Sequence, residues 1–117
     1  MSDVAVRDAN VAGVSDSPIK FAVISGATSG DNTLVAAVTG KKIRVISLVA
    51  IPTATVAFRL ESGAGGTALT GVAQLTTVGI VLPHNPSGWL ETAAATLLNM
   101  ELGAGTQVSG CLTYQEV

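Results

Sequence analysis

Apolar and polar positions trade places along this chain with the period of a β-strand. Val56, Phe58 and Leu60 interleave with Ala57, Arg59 and Glu61, so a strand over Thr55 to Glu61 turns one face to a core. From Ile43 to Ile51 the same period places Ile43, Val45, Ser47, Val49 and Ile51 on one side. Arg44, Ile46, Leu48 and Ala50 fall on the other, and apolar residues on both sides predict a strand covered on both faces. Shorter runs predict strands over Lys20 to Ser25, Thr33 to Val38, Thr67 to Leu69, Val72 to Leu75, Thr77 to Leu82 and Trp89 to Thr92.

Punctuation between these runs consists of turn formers. Gly26 to Asn32, Gly40-Lys41, Pro52-Thr53, Ser62 to Gly66 and Pro83 to Gly88 read as loops. Glu91 to Leu102 carries two signals. Its alanines and leucines favour helix and Thr92 suits a cap, yet Leu98, Met100 and Leu102 alternate with Leu97, Asn99 and Glu101. The alternation predicts a strand over Leu97 to Leu102 with one helical turn before it. Gly103-Ala-Gly105 then leads into an alternating run from Gln107 to Val117, which predicts a C-terminal hairpin. About eight or nine short strands with no βαβ alternation predict an all-β fold, an antiparallel β-sandwich or jelly roll over residues 20–117.

Residues 1–19 have a different texture. Val4, Val6, Val11 and Val14 are scattered among Asp, Asn, Ser and Gly, and Ser17-Pro18 closes the stretch. It reads either as a loose tail or as an extended N-terminal arm that orders against a neighbouring sheet.

Composition sharpens the functional reading. Only 12% of the residues are charged while 48% are hydrophobic, against about 25% charged in an ordinary soluble domain. A chain so sparsely charged needs shelter for apolar surface beyond its own core, against copies of itself or another protein. The net charge of −2 resides in residues 1–19, where Asp3, Asp8 and Asp16 face Arg7, and the rest is neutral. A neutral body with one basic spot, Lys41, Lys42 and Arg44, and no adjacent aromatic residue argues against nucleic-acid binding. No stretch approaches the ~20 apolar residues of a spanning helix, so no membrane role is expected. The N-terminus lacks the apolar core of a signal peptide, which points to a cytoplasmic site of synthesis.

Residues able to do chemistry are few. Cys111 is the only cysteine, and its strand context predicts a small buried hydrophobe. His84 is the only histidine and sits in a loop without neighbouring acids, which predicts an exposed or interface residue and no metal site. Gly63-Ala-Gly-Gly-Thr-Ala68 matches a loose dinucleotide pattern, but Leu69-Thr-Gly71 cannot sustain the helix that pattern needs, so it reads as a hairpin loop. Trp89, following the Pro/Gly-rich loop, could fill the end of the sandwich, anchor an interface or stack on a sugar. No catalytic constellation and no cofactor are implied. The candidate contact residues are Val4, Val6, Val11, Val14, His84, Asn85 and Trp89.

Four segments carry a resemblance. Ser29-Gly-Asp-Asn-Thr-Leu-Val-Ala-Ala-Val-Thr-Gly-Lys-Lys-Ile-Arg-Val45, Phe58-Arg-Leu-Glu-Ser-Gly-Ala-Gly-Gly-Thr-Ala-Leu-Thr-Gly71, Asn85-Pro-Ser-Gly-Trp-Leu-Glu-Thr92 and Gly110-Cys-Leu-Thr-Tyr114 resemble small β-rich structural proteins of tailed bacteriophages. Among these, capsid decoration (cement) proteins form trimers on the head surface and bridge major capsid subunits. The resemblance implies a homotrimer with the major capsid protein as its partner, located in the virion, with apolar faces buried between protomers. It transfers no catalytic residue, and it also fits a tail, fibre or receptor-binding module that would grip a host glycan around Trp89.

Overall fold

The computed structural model describes residues 14–117, and the candidate contact residues Val4, Val6 and Val11 lie outside them. Ten strands form in chain order: β1 (Lys20–Gly26), β2 (Gly30–Val35), β3 (Ile43–Pro52), β4 (Val56–Ser62), β5 (Thr67–Ala68), β6 (Ala73–Leu75), β7 (Ile80–Leu82), β8 (Leu90–Glu91), β9 (Leu98–Leu102) and β10 (Val108–Glu116). Every pairing is antiparallel. Sheet A runs β1-β10-β3, with β7 and β8 sharing the far side of β3. Sheet B runs β2-β9-β4, with β5 and β6 sharing the far side of β4. With each broken pair counted as one strand, the order becomes 1-8-3-6 in one sheet and 2-7-4-5 in the other. That is jelly-roll connectivity.

The alternation builds the core directly. Ile24, Leu48, Ala50, Val108 and Leu112 from sheet A meet Val56, Phe58, Leu60, Leu98, Met100 and Leu102 from sheet B. Aliphatic side chains dominate because the chain offers few aromatic residues.

Four expectations are corrected. The C-terminal run does not form a hairpin: β9 belongs to sheet B and β10 to sheet A, so residues 103–107 cross between the layers. No helical turn precedes β9 among the described residues. The chain there turns tightly instead, with Ala95 at φ 56° and its N–H on the Lys41 carbonyl (2.8 Å). β3 does not hold a single phase, because its register against β10 shifts between Ser47↔Thr113 and Val45↔Tyr114 and leaves Ile46 without a partner. This bulge turns Ile43 and Val45 into the core together with Leu48 and Ala50. Nor is β3 covered on both sides, since Ile51 is exposed and Val49 only half-buried.

β2 begins at Gly30, earlier than its polar start suggests, because Asn32 satisfies the turn before it. The Asn32 Oδ1 accepts the Thr28 N–H (3.2 Å), and its Nδ2 donates to the carbonyls of Thr28 (2.8 Å) and Gly30 (3.1 Å). At the centre of sheet A, β10 runs so close to β3 that a Cβ on Gly110 would lie 1.9 Å from the Val49 carbonyl oxygen. Only glycine fits there.

Candidate functional site

Three surfaces gather side chains with something to do. The first is the outer face of sheet A. Opposite the core-facing residues, the register lines up three rows: Phe21–Thr113–Ser47, Val23–Cys111–Val49–Val81 and Ser25–Ser109–Ile51. None of these residues is charged. Phe21, Val23 and Val81 are 73%, 68% and 66% exposed. Cys111 is exposed within the middle row, contrary to its expected burial, because Leu112 takes the core-facing position beside it. Ser47 and Thr113 hydroxyls pair at 2.6 Å and so quench each other's polarity. A shallow groove of about 260 Å³ lies between Val49, Val81, Pro83 and Cys111. The next row on the same face, Gln115–Arg44–Glu91, is polar and charged and bounds this uncharged patch on one side.

The second surface is the loop from β7 to β8, which holds three sequence-predicted residues. His84 is exposed and belongs to no cluster of acids among the described residues. Asn85 is half-buried and structural: its N–H bonds the Ile46 carbonyl (2.9 Å), its Oδ1 accepts from Ser87 N–H (3.0 Å), and its Nδ2 reaches the Gly88 carbonyl (3.3 Å). Trp89 is 45% exposed, and its indole N–H donates to the Pro83 carbonyl at 2.7 Å. Its donor is therefore spent within the loop, leaving an apolar ring edge beside sheet A. Val14 is half-buried where the described chain begins. Just beyond it, the Gln115 Nε2 on β10 donates to the carbonyls of Ser15 (3.2 Å) and Ser17 (2.7 Å). The Gln115 Oε1 is buried with no donor among the described residues. Thus Val14, His84, Asn85 and Trp89 are not brought into one site.

The third surface lies on the outer face of sheet B, where no sequence motif marks it. Asp31 and Glu101 pair across β2 and β9, Arg59 faces Glu101 from β4, and Glu61 faces Asn99. Asp31, Glu61 and Glu101 bring carboxylate oxygens within 4.8 Å of one another. Asn99 ties them together, donating to Asp31 (2.9 Å) and Glu61 (2.8 Å). Arg59 Nε donates to the other oxygen of Glu61 at 2.6 Å, and Gly65 N–H donates to Asp31 at 3.0 Å. Hydrogen bonding with Glu101 lowers the Asp31 pKa, helped by the Gly65 N–H. The same contact raises that of Glu101, so a proton held between the two carboxyls rests on Glu101 and is donated to Asp31.

Oxygen clusters of this sort suit hard cations. Here, however, Arg59 and Asn99 occupy both oxygens of Glu61, and Asn99 and Gly65 converge on one oxygen of Asp31. The network closes on itself and pins the β4–β5 hairpin loop across sheet B. No signal in the linear sequence joins Asp31, Glu61 and Glu101. The i, i+2 spacings Arg59/Glu61 and Asn99/Glu101 are the only local hint.

Compared with protein-family models, curated proteins and solved structures, the chain matches none.

Proposed function

We propose that this protein is a virion structural protein, a capsid decoration protein that sits on the outer head surface as a homotrimer and stabilises contacts between major capsid subunits. The observation that carries the reading is the outer face of sheet A. Three rows of uncharged residues there leave Phe21, Val23 and Val81 largely in solvent. Exposed aliphatic and aromatic area of this kind gains about 25 cal/mol per Å² when covered, and charge would oppose that gain. The jelly-roll order and the resemblance to phage structural proteins agree with it. The face is buried between protomers, and the loops at the ends of the sandwich reach the capsid. Stabilisation then follows by mass action, because whatever binds the assembled shell and not its parts favours the shell.

Light scattering is expected to give three times the 11.7 kDa of the chain. Electron microscopy of particles formed with its own major capsid protein is expected to place it over subunit boundaries. A monomer at micromolar concentration, or particles without it, rejects the proposal. The glycan-binding alternative finds less support, since the Trp89 indole N–H is already engaged by the Pro83 carbonyl. Glycan-array binding abolished by Trp89→Ala would revive it.

A further inference from the structure

Among the described residues most charges are settled within the chain. Lys20 holds Glu116 at 2.9 Å, Arg44 holds Glu91, and Arg59 holds Glu61. Two groups stand outside these pairs. Lys41 and Lys42 are both exposed and enter no ion pair among the described residues. On the outer face of sheet B, the carboxyls of Asp31, Glu61 and Glu101 face the guanidinium of Arg59. That patch keeps a negative excess whether or not a proton is held between Asp31 and Glu101. Beside Glu101 the same face is hollow. A cavity of about 130 Å³ opens between Ala57, Phe58, Val72 and Gly103, with Glu101 and Arg59 completing its lining. Small residues keep it empty: a Cβ on Gly103 would lie 2.9 Å from that of Ala57.

We infer that the Lys41–Lys42 corner of a second copy docks on this hollow, a lysine stem lying against its apolar walls and the ammonium meeting Glu101 and Asp31. This rests on the reading that copies associate, and it names a contact that joins them. The fit is chemical. Lysine carries a compact ammonium on a flexible aliphatic stem, and the stem takes apolar cover while the head keeps to polar surroundings. An apolar hollow ending at carboxylates accepts both parts. There the ammonium replaces the proton held between the two carboxyls, since an opposite charge nearby favours their ionised form.

The lysines of the same copy are on the wrong side. Lys42 exchanges both backbone bonds with Val117 (2.8 and 2.9 Å), one step before Ile43 at the start of β3. Alternation from Arg44 turns Lys42 to the outer side of sheet A. The two sheets of a sandwich lie about 10 Å apart, and the hollow opens on the far side of sheet B. A second copy therefore supplies the cation. The outer side of sheet A that carries Lys42 also carries the uncharged rows beyond Arg44, so the contact is continuous with the face that the proposed assembly buries. Two different surfaces meeting from copy to copy form a heterologous contact, which closes into a ring such as a trimer.

Full chains test this by light scattering and by cross-linking. Wild type is expected at three chain masses, and Lys41→Glu/Lys42→Glu and Val72→Arg each at one. The first variant sets like charge against the acidic patch, and the second puts a cation in the hollow. Both change exposed positions, so circular dichroism is expected to keep the wild-type β spectrum. Carbodiimide coupling is applied to wild type assembled from unlabelled and isotope-labelled chains together. Mass spectrometry is expected to find mixed-isotope peptides joining Lys41 or Lys42 of one copy to Asp31 or Glu101 of another. A trimeric Lys41→Glu/Lys42→Glu variant, or a wild-type trimer without such mixed links, overturns the contact and leaves the trimer standing. A monomeric wild type removes both.

Discussion

Replacing Arg59 by Met tests the polar network on sheet B most directly. Met keeps much of the aliphatic cover and removes the charge and both donors that Arg59 gives to Glu61. The Glu61 side chain is fully buried, while that of Arg59 is 35% exposed. Removing one partner of a buried pair costs about 3–5 kcal/mol. The guanidinium is partly hydrated, so water can reach the vacated position, and a loss of about 2–3 kcal/mol is expected. Glu61→Gln keeps an acceptor for Asn99 but turns an amide toward the guanidinium, at a cost of about 1–2 kcal/mol. The double variant no longer buries the Glu61 charge without its guanidinium, so it should be no less stable than Arg59→Met alone. The cycle is read by urea unfolding followed by circular dichroism. With a slope of about 1–3 kcal/mol per molar urea, Arg59→Met lowers the midpoint by roughly 1–2 M. A coupling below about 0.5 kcal/mol would mean that the pair behaves as an ordinary surface contact, and the argument from burial fails.

Other consequences are open to the same kind of measurement. The depressed Asp31 pKa gives stability that is lost as pH falls through its folded value, whereas the raised Glu101 pKa gives stability that is lost as pH rises through its own. Glu101→Gln should therefore gain in melting temperature relative to wild type between pH 4 and pH 7, and a constant difference refutes the shared proton. Gly110→Ala should destabilise by about 2–4 kcal/mol in urea, since the new methyl meets the Val49 carbonyl and neither strand can withdraw from the middle of the sheet. Ala95→Gly removes a left-handed alanine, so a gain of about 0.5–1 kcal/mol is expected, and a loss would show the turn tolerates the methyl without strain.

Much of the fold is legible in the alternation, because a sandwich asks each strand only to keep one face apolar. What alternation does not encode is the partner. Leu98, Met100 and Leu102 of β9 and Val108 and Leu112 of β10 all point into one core. They would show the same pattern whether the strands pair side by side or face each other across the layers. The glycines at 103 and 105 serve a crossing as well as a hairpin, and so the two arrangements are alike in sequence. The Cys111 thiol was misplaced for a related reason: parity within β10 is set by Leu112, and a cysteine carries too little hydrophobic weight to show which side it takes. The carboxylate network is non-local, with Asp31, Glu61 and Glu101 on three strands joined only by register.

The unpaired Ile46 works as a one-residue clutch between two halves of β3. On one side Leu48 and Ala50 engage the interior; on the other Val45 and Ile43 do so, in opposite phase. Deleting this single residue would let the pairs Ser47↔Thr113 and Val45↔Tyr114 follow one another without a break, so Ile43 and Val45 would keep their inward phase, and Arg44 its outward pairing with Glu91. A one-residue loss is thus better absorbed at this spot than inside either half of the strand, where it would turn the side chains beyond it to the opposite face.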